Sequence, residues 1–106
     1  MSVLLITIGR LNTDGLPALE RYAAGVIPLI AAAGAELVTR GSPQETVVGS
    51  ADNQPDLVAI MRFPTADAVR AFLDSAAYRA QIVHRSQAFA DVRSYIARDL
   101  TETPVG

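Results

Sequence analysis

The sequence contains no cysteine and no lysine. Without cysteine there are no disulfide bonds, thiolate nucleophiles or thiolate metal sites. All 9 basic residues are arginines, and they are spread along the chain among 11 acidic residues, so no basic stripe is available to hold a phosphate backbone. We therefore do not expect a nucleic acid partner.

Long apolar runs and known catalytic motifs are also missing. The apolar run over residues 3–8 is too short to span a bilayer and lacks the flanks of a signal peptide, which predicts a cytoplasmic protein without a membrane partner. There is no nucleophile elbow, phosphate loop, dinucleotide fingerprint or paired-carboxylate motif. A single histidine among scattered carboxylates has no metal-ligand spacing, so we expect neither a metal nor a cofactor.

What is present fits one small domain with more apolar surface than it can bury alone. The chain has 106 residues, of which 50% are apolar. That length corresponds to a single core, and the apolar fraction is high for a soluble protein of this size. We predict one domain over residues 1–100 and a flexible tail over residues 101–106.

The apolar pattern predicts four strands and three helices. Residues 3–8 and 57–63 are apolar on both faces, residues 36–40 form a strand that is interrupted before extended structure resumes at 45–48, and residues 90–98 alternate. Apolar residues recur with helical spacing from Leu16 to a left-handed stop at Gly34, while Thr65 and Ser75 are placed to cap two further helices.

The element order is β, α, β, β, α, β, which predicts an α+β, ferredoxin-like fold with an antiparallel sheet. The first and third strands, the two without alternation, are central in this topology. All helices then cover one face of the sheet, and the other face is apolar and bare. We therefore predict a homodimer with its sheets face to face, enclosing a barrel-like interior that holds a small molecule.

Several stretches of the sequence are similar to the domain-of-unknown-function family 1330. They are residues 32–41, which end in Arg40-Gly41, then residues 62–65, and residues 74–78 with the later Arg85. The resemblance covers nearly the whole chain and implies the dimeric α/β-barrel superfamily. That superfamily includes cofactor-free oxygenases, lactone isomerases, haem enzymes and binding proteins, so the resemblance implies the fold rather than a reaction. Arg62 and Ser42 depart from the family pattern.

Five side chains are candidates for binding or chemistry. Arg40 and Arg62 lie near strand ends, on the side of the sheet that they share with Val38, Val58 and Ile60. If that side is the barrel interior, they would bind an anionic group; the alternative is that they form strand-end ion pairs with Glu36, Glu45 or Asp91. His84 is the only histidine and the candidate catalytic proton carrier, unless it is simply an exposed helical residue. Tyr78 and Arg85 match family positions and are candidate ligand-binding residues, although Tyr78 is equally suited to packing.

The sequence thus supports two functional hypotheses. The first is a homodimer that binds a small polar or anionic organic metabolite and acts as a cofactor-free isomerase, cyclase or oxygenase. The second is a non-catalytic binding or interaction protein whose dimer interior is packed.

Overall fold

The structure is a computed structural model, and it describes residues 2–102. Its sheet has the strand order β2-β3-β1-β4, and every neighbouring pair is antiparallel. In chain order the elements are β1 (Val3–Leu11), α1 (Leu16–Ala32), β2 (Glu36–Gly41), β3 (Leu57–Phe63), α2 (Ala66–Asp74), α3 (Ala76–Arg79), α4 (Ile82–Ala88) and β4 (Phe89–Arg98). The predicted α+β, ferredoxin-like arrangement is confirmed, with β1 and β3 in the centre.

Strand alternation divides the sheet into a helix-facing side and an outer side. Leu5 lies opposite Met61 and both are buried in the main core, so odd-numbered residues of β1 and β3 face the helices. Even-numbered residues point to the outer side, where Ile6 lies opposite Ile60. The outer apolar side chains are only partly buried, because no element within residues 2–102 packs over them. They are Leu4, Ile6, Ile8, Val58 and Ile60.

The edge strand β2 contains one extra residue. Leu37 pairs with Met61 and Thr39 pairs with Ile60, so Val38 has no opposite residue and forms a β-bulge. The strand ends at Gly41, and residues 42–48 do not form the extended strand segment that the sequence predicted. Two valines of this segment, Val47 and Val48, are 81% and 89% exposed, so neither side chain packs against the sheet.

The helices begin and end close to the predicted residues. Helix α1 continues through Pro28, and Gly34 with φ of 75° follows it in the left-handed conformation that glycine adopts most easily. Thr65 Oγ1 accepts a hydrogen bond from the Ala68 amide, and Ser75 Oγ accepts one from the Tyr78 amide. These are the two predicted caps, although the segment after Ser75 divides into α3 and α4.

The main core is a set of aromatic and aliphatic side chains between β1, β3 and the helices. Phe63 is fully buried, and its ring centroid lies 5.3 Å from that of Phe72 in an edge-on arrangement. Phe72 in turn lies 5.1 Å from Tyr78. A second, smaller cluster around Leu19 and Phe89 packs the start of α1 against the end of α4. No helix within residues 2–102 is long and apolar enough to cross a bilayer.

Candidate functional site

An apolar cavity of about 70 Å³ lies between α1 and the helix-facing side of the sheet. Its walls contain only five side chains with polar groups, and these define what the site recognises. They are Thr7, Tyr22, Arg40, Tyr78 and Ser94. The rest of the wall is aliphatic or aromatic, and Ile27 and Leu37 are partly exposed there. A mostly apolar pocket with a few convergent polar groups is the usual form of a small-molecule site.

A chain of hydrogen bonds runs from Arg85 to the cavity through two tyrosines. Arg85 Nη1 donates to the Tyr78 hydroxyl at 3.0 Å, and the hydroxyl oxygens of Tyr78 and Tyr22 lie 2.7 Å apart. The Arg85 guanidinium carbon also lies 5.9 Å from the centre of the Tyr78 ring. When Tyr78 accepts from Arg85 and donates to Tyr22, the Tyr22 proton remains available for a ligand oxygen.

Tyr22 remains a neutral phenol at physiological pH. Burial raises the pKa of Tyr22 above its ordinary value, and the neighbouring Tyr78 raises it further. A neutral phenol is a hydrogen-bond donor, and the positive charge of Arg85 at the far end of the chain polarises both hydroxyls in the donating direction. This part of the cavity therefore favours a ligand oxygen that carries negative charge.

The β-bulge at Val38 turns Arg40 toward the cavity. Arg40 lies opposite Ala59, which is on the helix-facing side, whereas uninterrupted alternation would have placed Arg40 on the outer side. The expectation that Arg40 and Arg62 share a face is therefore wrong. Arg40 is exposed and has no ion pair or hydrogen bond through its side chain with residues 2–102, so its guanidinium is available to an anionic group at this side of the cavity.

Arg62 lies on the outer side in an ion-pair cluster. Its guanidinium is 2.8 Å from Glu36 Oε1 and 3.1 Å from Asp99 Oδ2, and its Nε is 3.9 Å from Glu102 Oε1. These contacts raise the pKa of Arg62, chiefly through the hydrogen bond with Glu36. Arg62 therefore forms a strand-end ion pair that includes Glu36, which was the alternative to anion binding in the sequence analysis.

Asp99 anchors this cluster at the end of β4. The residue is only 3% exposed, and its Oδ1 accepts hydrogen bonds from both the hydroxyl and the amide of Thr101. The pKa of Asp99 is lowered to about 2, chiefly by the hydrogen bond from the Thr101 hydroxyl. Arg62 also contributes to this lowering. Ser2 Oγ donates to Glu102 nearby. Thr101 and Glu102 of the predicted tail are therefore bonded to the domain, and residues 103–106 lie outside the described residues.

His84 is not among the cavity residues. It lies on α4, partly buried, and its Nδ1 is buried without a hydrogen-bond partner among residues 2–102. The cavity wall contains no histidine, aspartate or glutamate. Among residues 2–102, no three histidine, aspartate or glutamate side chains lie close enough together to hold a metal ion.

The structure thus joins Arg40, Tyr78 and Arg85 at one site and leaves Arg62 and His84 elsewhere. The sequence analysis did not select Tyr22, Thr7 or Ser94 as site residues. The hydroxyl oxygens of Thr7 and Ser94 lie 2.8 Å apart on adjacent strands. Thr7 is a polar residue within the otherwise apolar run over residues 3–8, and that break in pattern was the available signal. The spacing of Tyr22 and Tyr78 in the sequence contains no sign of their contact.

The fold and site define a class, the ferredoxin-like α+β proteins, and solved structures of that class resemble the chain. A protein of unknown function from Rhodopseudomonas palustris has a TM-score of 0.83 and 23% identity, over 93% of this chain and 82% of that one. A dimeric protein of unknown function and ferredoxin-like fold from Bacteroides fragilis has a TM-score of 0.67 and 11% identity, over 92% and 96%. A putative antibiotic biosynthesis monooxygenase from Nitrosomonas europaea has a TM-score of 0.66 and 16% identity, over 97% and 94%.

The chain belongs to the family described as Domain of unknown function (DUF1330), whose model matches residues 6–99. This confirms the family that the sequence motifs indicated. No curated protein matches the chain significantly. Because the sequence identities to these solved structures are only 11–23%, the resemblance shows the fold alone.

Proposed function

We propose that the protein is a homodimer in which each subunit binds a small organic anion with an apolar end in the cavity between α1 and the sheet. One observation is central to this proposal. The Arg85–Tyr78–Tyr22 chain of hydrogen bonds ends in a neutral phenol beside an apolar space, and Arg40 supplies to the same cavity a guanidinium that is unpaired within residues 2–102. Together they offer donors for an oxyanion and an apolar wall for the remainder of the ligand.

The size of the cavity narrows the ligand class. The space of about 70 Å³ is smaller than the cavity of about 150 Å³ that accommodates benzene in a protein interior. A short alkyl end fits such a space better than an aromatic ring. A carboxylate at the other end would then reach Arg40 or the tyrosine pair.

The same geometry allows a cofactor-free reaction of the kind that the sequence suggested. Donors that are fixed before the reaction stabilise the negative charge of an enolate or phenolate as it develops, and Tyr22 is placed to act in this way. An isomerase, cyclase or oxygenase step would depend on such stabilisation. His84, the proton carrier predicted from the sequence, does not line the cavity, so the tyrosines are the nearest proton-bearing groups.

A binding protein without catalysis is the second candidate, and one observation favours it. The cavity wall contains no histidine or carboxylate that would act as a general base. Under this proposal the site recognises and retains its ligand unchanged.

The homodimer is supported by the bare outer side of the sheet and by the dimeric description of the Bacteroides fragilis protein. A second copy placed face to face would bury the partly exposed row that includes Ile6 and Ile60. We also propose a cytoplasmic location, in keeping with the absence of cysteine.

Titration with hexanoate, followed by two-dimensional NMR, tests the cavity proposal. We expect saturable shifts at the Thr7, Tyr22 and Arg40 amides, and weaker binding of 1-hexanol, which has no charge. Arg40→Gln should weaken hexanoate binding roughly tenfold, the loss typical of one charge-assisted hydrogen bond. Arg21→Gln is the matched control, because Arg21 is an exposed arginine of α1 that does not line the cavity. Equal affinity for hexanoate and 1-hexanol would refute the proposal, and so would an unchanged affinity in Arg40→Gln.

A further inference from the structure

A second cavity, of about 250 Å³, lies on the outer side of the sheet, at the end where β1 finishes and β4 begins. Its polar wall is made by Arg10, Asp91 and Arg93, and its apolar wall includes Ile8 and Pro55. This space exceeds the about 150 Å³ that accommodates a benzene ring. It is separate from the cavity of the proposed function, because the sheet lies between the two.

The strand register fixes the spacing of the two arginines. Arg10 lies opposite Asp91, and Ile8 lies opposite Arg93. Arg10 and Arg93 are therefore diagonal neighbours on one face of an antiparallel pair, where the separation is about 7–8 Å. Two arginines whose Cα atoms are that far apart have side chains long enough to bring both guanidinium groups to one planar anionic group.

The acidic side chains nearby leave donors available. Asp91 Oδ2 lies 3.6 Å from Arg93 Nε, a contact that leaves the two terminal nitrogens of Arg93 without a partner among residues 2–102. Asp56 Oδ2 accepts a hydrogen bond of 2.8 Å from the Leu11 amide instead of pairing with Arg10. Arg10 itself is exposed and makes no ion pair or side-chain hydrogen bond within residues 2–102.

The apolar part of the wall suits a flat group. Tyr95 is 49% exposed, shares the outer side with Arg93, and its hydroxyl has no hydrogen-bond partner within residues 2–102. The Tyr95 ring, Ile8 and Pro55 together present apolar surface beside the two guanidinium groups. A ligand with one ring and one carboxylate would use both parts of the wall.

We propose that this outer cavity is a second binding site, for small aromatic carboxylates, with Arg10 and Arg93 holding the carboxylate. The formal charges of Arg10 and Arg93 are balanced by those of Asp56 and Asp91. Recognition therefore depends on the guanidinium hydrogen bonds rather than on a net positive field. The site differs from the inner cavity in ligand class because it is wider and more polar. The cavity is on the side of the sheet that the second copy would cover, but at the end of the sheet rather than at its centre near Ile6 and Ile60, so a ligand would enter from the margin of that interface. Ligand binding here does not depend on the inner cavity, since none of the residues named for the outer cavity line the inner one.

The test is an NMR titration of the full chain with benzoate at constant ionic strength, with benzamide as the uncharged comparison. We expect benzoate to shift the amides of Gly9, Arg10 and Asn53, which border the cavity, and benzamide to shift them far less. Arg10→Gln and Arg93→Gln should each weaken benzoate binding roughly tenfold. Arg70→Gln serves as the control, because Arg70 is an exposed arginine on α2.

Two results would overturn the second site. One is equal affinity for benzoate and benzamide, and the other is an affinity that survives the Arg10→Gln, Arg93→Gln double variant. Shifts confined to Thr7, Tyr22 and Arg40 would locate benzoate in the inner cavity and also overturn it. Hexanoate binding at the inner cavity can fail while benzoate binding at the outer one succeeds, so the two proposals are distinguishable.

Discussion

The hydroxyl oxygens of Tyr22 and Tyr78 lie 2.7 Å apart, although the residues are 56 positions apart in the chain. The contact joins α1 to α3, and Arg85 adds α4 through its 3.0 Å bond to Tyr78. Three helices are therefore connected by polar groups next to the apolar core. Removing either tyrosine hydroxyl deprives the neighbouring polar group of its hydrogen-bond partner.

The first prediction concerns the stability that this chain of hydrogen bonds provides. Tyr78→Phe should lower the free energy of unfolding by about 1–3 kcal/mol, because it leaves Tyr22 and Arg85 without their shared partner in a largely buried place. Urea unfolding followed by circular dichroism measures the change. Tyr95→Phe removes the same atom from a half-exposed tyrosine without a hydrogen-bond partner in residues 2–102 and should change stability by less than about 0.5 kcal/mol. Equal effects of the two substitutions would contradict this account.

The second prediction concerns assembly. Ile60→Asp places a charge in the centre of the outer side and should convert the proposed dimer to monomers, since a charge without a partner in a buried interface costs several kcal/mol. Sedimentation velocity at micromolar concentration measures the mass. Tyr95→Asp, at a more exposed position on the same side, should weaken the dimer without endangering the fold. Leu16→Asp is the control, because Leu16 is exposed on α1. A wild-type chain that sediments as a monomer would refute the prediction.

The third prediction follows from the low pKa of Asp99. The folded value is about 2 and the ordinary value is 3.8, so the native state binds fewer protons than the unfolded state between these values. The stabilising contribution of Asp99 is therefore present above about pH 4 and is lost as the pH falls toward 2. Asp99→Asn should destabilise the protein at pH 7, and the difference from wild type should shrink toward pH 2 in thermal unfolding curves. A difference that stays constant with pH would exclude the carboxylate as its source.

The fourth prediction concerns the extra residue in β2. Deletion of Val38 should leave Arg40 opposite Ala59, because the pairs on either side of the bulge already fit an uninterrupted register. Val38 is 43% exposed and has no residue opposite it in β3, so the deletion should cost less than about 1 kcal/mol. Deletion of Ile60 from the central strand is the contrasting variant, since it turns Met61 and Phe63 away from the core and should prevent folding. Hydrogen exchange and contacts between Arg40 and Ala59 in NMR spectra measure the outcome. Loss of those contacts in the Val38 deletion would show that the register depends on the bulge.

Most of the fold was predictable because apolar periodicity and capping residues are local signals. The apolar residues on both faces of β1 and β3 predicted that these strands are central, and Thr65 and Ser75 marked two helix starts that the structure confirms. The same pattern predicted that helices would cover only one side of the sheet. These conclusions need only neighbouring residues and the known chirality of the topology.

The site was less predictable, because it depends on a single-residue irregularity and on contacts between distant positions. The sequence offers no signal that strand β2 gains a residue at Val38 rather than at the predicted interruption after Arg40. That extra residue alone places Arg40 on the other side of the sheet. The Tyr22–Tyr78 contact requires helices α1 and α3 to be packed correctly first. The alternative prediction for Arg62, an ion pair with Glu36, was correct. It was predictable because charges at the ends of adjacent edge and central strands meet directly.

Strand β1 serves two surfaces with alternate residues. Thr7 belongs to the inner cavity, and Ile8, the next residue, belongs to the outer one. Substitutions one position apart are thus able to change the chemistry of one surface without changing the other. A lineage carrying this sheet has the means to vary the proposed inner binding site while keeping the proposed outer contacts, or the reverse, without changing the backbone that both depend on.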